Sequence, residues 1–375
     1  MSNIENTRPR YIGTRSLRNS VGSIVFNFVF NGVLFRVVAA TPDDAGEALV
    51  PVDYDYDESI EGKIINEIID LSMLEGDAAR DAANQEATER LKMQLADLAA
   101  DVCLPTMRRL APSQLPAVQT LQDELYRPTY ALQVLTEGNK LTCLTLDGYT
   151  GIPERHPPVP DERLRAIGLD LDTTDLLVVK PSQVILVRRL QHLVSAVTVD
   201  GEEMVCKASL DLFEHAVGDE LATYLKIRAA GVKFKIPELK GIIRSHRGVV
   251  GILLSYIPHK HHSLHTILAG VKEGTIPASE ATPSSRQRWA WQIKETVAGL
   301  HGVGILWRDL KTHNILIDDN GDAVVLDFGG GNTVGWVDND KYATMQGEEQ
   351  GLGKIMEALG VQDLGLVGGV GVDEA

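Results

Sequence analysis

Two acidic triplets, Arg308-Asp309-Leu310 and Asp327-Phe328-Gly329, hold the side chains best suited to chemistry. Both lie in the stretch GILWRDLKTHNILIDDNGDAVVLDFGGG, residues 304–331. Each stands at the edge of an apolar, β-like run, and an asparagine, Asn314, follows the first aspartate by five residues. A carboxylate beside a buried strand costs on the order of several kcal/mol unless a positive group meets it. Two readings follow: surface turn residues, or acids that face a cation and a phosphate.

The elements that must position these residues come next. Residues 21–40 form two β-runs around Asn31-Gly32, the pair best suited to a type I′ hairpin turn. The acidic run DYDYDES leads into a helix from about Ile60 to Leu74, with Ile64, Ile65, Ile68, Ile69 and Leu71 on a buried face. That acidic run lacks EF-hand spacing, so a solvated loop is favoured over a Ca²⁺ site. NQEATERLKMQLADLAADV is a second helical run, and YALQVLTEGNKLTCLTL a second hairpin. Residues 1–147 thus make an α+β domain of ββααββ order, whose role the sequence leaves open. Residues 148–165, rich in proline, are expected to be a linker. Beyond it come three β-runs, a helix ending at Gly231, two strands, a long helix SSRQRWAWQIKETVAGLHGVG, the acidic triplets, and a last helix QGEEQGLGKIMEALG. Residues 361–375 are expected to be a flexible tail.

Composition narrows the partners. A net charge of −16 argues against a general binder of nucleic acid or anionic membranes, since both need clustered Lys and Arg. It leaves room for an anion in one local basic pocket. Three cysteines, with no CxxC spacing, imply free thiols in a reducing compartment. The polar N-terminus lacks a signal-peptide core, and the run SIVFNFVF is too short to span a bilayer. A cytoplasmic or nuclear location is expected; oligomeric state is left open.

The element order after the linker, together with RDLKTHN and DFG, resembles the protein-kinase superfamily. In its shortened C-lobe the chain is similar to compact kinase-like proteins of filamentous fungi. The resemblance implies an α+β, two-lobed domain over 166–360, with a β-rich N-lobe and a short helical C-lobe. It also implies ATP and Mg²⁺ as cofactors. Lys207, on the third β-run, would meet the α/β-phosphates, aligned by Glu220 of the next helix, with Glu214 as the competing acid. Asp309 would orient and deprotonate an acceptor hydroxyl, and Lys311 would reach the transferred phosphoryl group. Asn314 and Asp327 would hold Mg²⁺. Ser255 and Ile257, at the end of the fifth strand, would contribute to nucleotide binding. The pair Leu310-Lys311 implies Ser/Thr-type protein kinase activity; the short C-lobe keeps a small-molecule hydroxyl acceptor open. RDLKxxN with DFG eighteen residues beyond Asp309 favours the magnesium-facing reading of the two acids.

Several positions depart from the pattern. RRLQHLVSAVTVDG has no glycine before Gly201, so the Gly-rich phosphate loop is missing. That absence supports a third reading, a pseudokinase-like nucleotide-binding scaffold. Trp307 stands where the family has His and is expected to be structural. Thr333, Tyr342 and Thr344 are the hydroxyls available between DFG and the last helix. His261 and His265, four residues apart, have helical metal-ligand spacing, although a surface helix is the favoured reading. Trp289 and Trp291 are expected to pack in the core or a groove. Gly329-Gly330-Gly331 is either a hinge or a phosphate-facing turn.

Overall fold

The computed structural model describes residues 8–16, 24–39, 54–72, 82–114, 119–146, 158–170, 174–191, 194–208, 216–261, 263–331, 333 and 335–361. The chain divides into two compact units, Met1–Arg155 and His156–Ala375.

In the first unit, β2 (Ile24–Phe30) and β3 (Val33–Ala39) pair antiparallel through the expected turn, where Asn31 and Gly32 both take positive φ, 49° and 83°. A preceding strand, β1 (Arg10–Ser16), pairs with β2 at the sheet edge. Its polar sequence gave no strand signal, because an edge strand needs fewer apolar residues than a central one. β3 then pairs parallel to β4 (Thr129–Glu137), which turns back into β5 (Lys140–Thr145). The parallel pairing is possible because α1 (Ile60–Ser72), α2 (Ala82–Leu110) and α3 (Leu121–Leu125) make the crossover. Ile64, Ile65 and Ile68 of α1 and Leu95, Ala99, Cys103 and Met107 of α2 recur at helical spacing and bury against β2, β3 and β4. Glu61 of α1 is fully buried but satisfied. Its carboxylate accepts from Tyr54 Oη at 2.5 Å and from Thr136 N at 2.8 Å. Asp55 and Asp57 of the acidic run face solvent.

The second unit begins before the expected boundary. Residues 147–157 lie outside the described residues, but 158–165 are not a linker. Val159 is 2% exposed and exchanges backbone hydrogen bonds with Val249. The next residues form α4 (Asp161–Ala166), which buries Leu164. Prolines 157, 158 and 160 end short of α4, where a missing N–H costs the helix nothing. The expected tail, 361–375, lies outside the described residues apart from Val361, which packs on the core of this unit.

A six-stranded sheet makes the β-rich lobe, in the order β6-β10-β11-β9-β8-β7. Its members are β6 (Leu177–Val179), β7 (Ile185–Gln191), β8 (Val194–Val199), β9 (Glu202–Ala208), β10 (Leu239–Ser245) and β11 (Gly248–Ser255). Between β9 and β10 runs α5 (Ala216–Ala230), which packs on the sheet. The three-residue β6 went unread, being too short to show a period. It lies parallel to β10, and Gly241 allows that approach: a Cβ there would stand 2.4 Å from the Leu177 carbonyl oxygen.

The helical lobe holds α6 (Leu264–Glu273), α7 (Pro283–Gly302), the hairpin of β12 (Ile315–Ile317) and β13 (Ala323–Val325), and α8 (Met345–Leu359). NILID and AVVLD do form the hairpin, in register Ile315↔Val325. Gln292 of α7 clamps it, accepting from Ala323 N at 2.8 Å and donating to Asp322 at 2.7 Å. Trp289 is buried and donates to the Gly321 carbonyl, whereas Trp291 is 60% exposed and does not join the core. Two residues make little more than half a turn of helix, so tryptophans at i and i+2 point to opposite sides and cannot both face inward.

Among the described residues, no helix is long and apolar enough to cross a membrane.

Candidate active site

Strand alternation sends Lys207 of β9 to the sheet face opposite its neighbours Cys206 and Ala208, which are buried. Its Nζ meets Glu220 Oε2 at 2.6 Å and Asp327 Oδ1 at 2.8 Å. Of the two competing acids, Glu220 is thus the one seen beside the lysine; Glu214 lies outside the described residues. Burial works against the Lys207 charge, yet the two carboxylates outweigh it and hold the amine above its ordinary range. Burial pushes Glu220 up, with Lys207 opposing. At Asp327 burial also pushes up, but the charges of Lys207 and Lys311 and the Gly329 N–H win, and the carboxyl is held below its ordinary value. One lysine therefore bridges two acids, of which Asp327, with its side chain 39% exposed, is the one open to solvent.

Asp327 holds φ +65° although it is not glycine. Such a backbone persists only where its surroundings over-determine it. Here Phe328 supplies the anchor: it is fully buried, meets Tyr224 of α5 edge-on at 5.4 Å, and its N–H points to Glu220 Oε1 at 3.4 Å.

The second cluster centres on Asp309, which is 5% exposed. Lys311 Nζ donates to its Oδ2 at 2.6 Å, and Asn314 Nδ2 donates to the same oxygen at 2.8 Å and to the Asp309 carbonyl at 3.0 Å. Thr333 Oγ1 donates to Asp309 Oδ1 at 3.0 Å while accepting from Lys311 at 2.8 Å. With both amide hydrogens of Asn314 directed at Asp309, its side-chain oxygen is left as an acceptor for a cation.

Holding this loop falls to Glu348, which sequence reasoning missed. Glu348 is 2% exposed and accepts from Arg308 N at 2.7 Å, Trp307 N at 3.0 Å and His301 Nε2 at 2.8 Å. A signal existed: Glu348 sits in the first turn of α8, in line with buried Gly351, Leu352 and Ile355, an acid on an apolar stripe. Trp307 is wholly buried and its Nε1 donates to the Leu326 carbonyl at 2.8 Å, tying the Asp309 loop to the strand end that carries Asp327. Arg308, at φ +71°, donates to the Phe328 carbonyl at 3.3 Å.

Between the lobes of this unit lies a cleft lined by Val194, Val205, Leu254 and Leu316 on its apolar walls and by Lys207, Glu220, Asn314 and Asp327 at its polar end. Ser255 and Ile257 line the same cleft. The Ser255 hydroxyl oxygen accepts from Glu238 N at 2.9 Å. On the opposite side, Leu190 and Gln191 of β7 stand where phosphate-binding glycines were looked for.

The histidine pair does not form a helical metal site. Ser263 caps α6, so His261 precedes the helix and His265 lies on it. His261 faces Glu280 at 3.8 Å, while the His265 ring stacks on His313 at 3.8 Å. Among the described residues no group of three or more His, Cys, Asp or Glu could hold a metal by itself. A cation near Asn314 and Asp327 would need ligand oxygens from a bound phosphate, which suits Mg²⁺.

Residues 206–349 match the protein kinase domain family, so the second unit carries a protein-kinase-like domain, in agreement with its two-lobed α+β fold. The match starts one residue before Lys207 and leaves out β7 and β8, the hairpin without glycines. A segment of 49 residues is 51% identical to testis-specific serine/threonine-protein kinase 5 of Mus musculus, covering 13% of either chain. Another of 114 residues is 42% identical to serine/threonine-protein kinase PKH3 of Eremothecium gossypii, 27% of this chain and 15% of that one. Cyclin-dependent kinase F-1 of Oryza sativa subsp. japonica is 32% identical over 78 residues, 21% and 15% of the two chains. The chain therefore matches only a small part of the length of each of these relatives.

Proposed function

We propose that the second unit is a Mg·ATP-dependent phosphotransferase acting on a hydroxyl, of Ser/Thr protein-kinase type. The observation that carries this reading is that Lys207, Glu220, Asp327 and Asn314 line one cleft, and that Asn314 is hydrogen-bonded in turn to Asp309, which holds Lys311. Phosphoryl transfer asks a protein mainly for positioning and charge neutralisation. Lys207, with its charge reinforced by two acids, is placed to take an α/β-phosphate oxygen. Glu220 keeps it there. Asp327, ionised and open to the cleft, and the Asn314 side-chain oxygen would hold Mg²⁺, which would supply the charge neutralisation at the phosphates. Asp309 is placed to accept the proton of an attacking hydroxyl. Lys311, beside it, faces the charge that develops on the transferred group. The pair Leu310-Lys311 supports a Ser/Thr rather than a small-molecule acceptor.

A second reading, a nucleotide-binding module without transfer, is favoured by the β7–β8 hairpin, which has no glycine to bring backbone amides onto phosphates. Transfer of radiolabel from ATP in an extract, sorted into protein and small-molecule fractions, separates the readings. Label in protein that is lost in Asp309→Asn supports the kinase. Label only in small molecules refutes the protein acceptor. Absence of label with intact nucleotide binding refutes transfer.

A further inference from the structure

Two thiols of the first unit face each other where its helices meet its sheet. Cys143 of β5 is in register with Val134 of β4, so the two share a sheet face, and Val134 lies in the core that α1 and α2 cover. Leu141, two residues earlier on β5, packs on the same core, as strand alternation requires. From the other side comes Cys103 of α2, fully buried between Ala99 and Met107 on the helix's apolar stripe. Cys103 donates its S–H to the Cys143 sulfur, and Thr106, three residues further along α2, donates its hydroxyl to the same sulfur. Arg109, three residues beyond Thr106, brings a positive charge near it. Both cysteines are free thiols, and Cys143, on the edge strand of the sheet, is only half-buried.

We propose that Cys143 and Cys103 form a peroxide-reactive dithiol, in which Cys143 is the attacking nucleophile and Cys103 resolves it to a disulfide. The site lies in the first unit and does not rest on the phosphotransferase reading. In the first step the Cys143 thiolate attacks one oxygen of hydrogen peroxide. An S–O bond forms and the O–O bond breaks; hydroxide leaves with the electron pair and takes up the proton that the Cys143 thiol has given up. In the second step the Cys103 sulfur attacks the sulfur of the Cys143 sulfenic acid. The S–S bond forms, the S–O bond breaks, and hydroxide leaves as water with the Cys103 proton. Two thiols thus lose two electrons, and one peroxide is reduced to two waters. Sulfurs already in hydrogen-bond contact need only a small side-chain rotation to reach a bond length of about 2.05 Å. The contacts divide the roles. The Cys103 S–H, the Thr106 hydroxyl and the Arg109 charge hold the Cys143 thiol below its ordinary value, against the burial that opposes them. Its bond to Cys143, together with burial, pushes Cys103 well above that value. Cys206 of the second unit, which burial pushes up to about 12, is the internal control.

The test uses the full chain, reduced, freed of reductant and treated with hydrogen peroxide. Intact mass and non-reducing peptide mapping follow the reaction. The expected product has lost two hydrogens and carries one link within the chain, Cys103 to Cys143, with Cys206 still a free thiol. Dithiothreitol should restore the starting mass. Cys103→Ser should stop at a sulfenic acid on Cys143, trapped by dimedone, and Cys143→Ser should give neither link nor trapped acid. One readout needs no variant: in the reduced wild type, iodoacetamide should label Cys143 faster than Cys103 or Cys206. A link that includes Cys206, a link between two chains, or sulfenic acid trapped on Cys103 overturns the proposal. So does faster labelling of Cys103 or Cys206 than of Cys143, and so do three unchanged thiols under peroxide that oxidises free glutathione.

Discussion

Glu348 offers the sharpest test of how the Asp309 loop is held. Replacing it with alanine strips the acceptor from the buried Trp307 N–H, from the part-buried Arg308 N–H and from His301 Nε2. A buried donor left without a partner costs about 1–3 kcal/mol, so the two amides alone lose about 2–6 kcal/mol. His301 is partly exposed and can turn to water, and loss of a buried carboxylate relieves some desolvation. A net cost of about 3 kcal/mol follows, at the low end for breaking a buried charged pair. In a unit of this size that lowers Tm by roughly 6–12 °C. Glu348→Gln should lose less, since its amide oxygen still accepts from one side while its NH₂ faces a donor. Thermal melting and ATP-dependent transfer are measured together, well below the variant's Tm. Transfer should fall in Glu348→Ala even where the fold persists, because Arg308 at φ +71° has lost the contact that fixes its N–H. A Glu348→Ala protein that melts with the wild type and transfers phosphate at its rate would refute the reasoning.

Lys207→Met and Asp309→Asn should each abolish transfer, the first through phosphate alignment and the second through the acceptor hydroxyl; full turnover in either variant rejects its assigned role. At nucleotide a hundredfold above Kd, Mg·ATP should add about 2.7 kcal/mol, a Tm rise of roughly 5–11 °C. Asp327→Ala should lose most of that rise and Asp309→Asn should keep it. Burial and the stacked His265 ring hold His313 below the ordinary 6.5 of imidazole, so its contribution to stability is present above 6.5 and is lost as the pH falls through the depressed folded value. Melting of the wild type should therefore weaken on acidification more than that of His313→Gln; equal slopes would remove His313 from the account. Since the buried clusters of the two units share no residue, two calorimetric transitions are expected, and a fragment 156–375 should reproduce one of them.

Much of the site was legible because its chemistry is packed into a short stretch of chain. Asp309, Lys311 and Asn314 fall within six residues, and the hairpin that carries Asp327 follows at once, so local geometry alone brings them close. The I′ turn at Asn31-Gly32 and the buried faces of α1 and α2 were legible for the same reason: turn chemistry and helical period are local signals. Tertiary structure decided what local signals cannot carry. Which glutamate meets Lys207 depends on how α5 packs against β9, and the bonds from Glu348 to Trp307 and Arg308 join residues about forty positions apart. The edge strand β1, the three-residue β6 and its parallel pairing to β10 exist through hydrogen bonds to distant partners, not through any pattern of their own. Residues 158–165 carry the prolines of a linker, yet they fold onto the second unit because Val159 and Leu164 find buried surface there. A sequence displays a side chain's type and its neighbours along the chain; which buried donor or charge it will satisfy across the fold is settled by the cost of leaving that group unpaired.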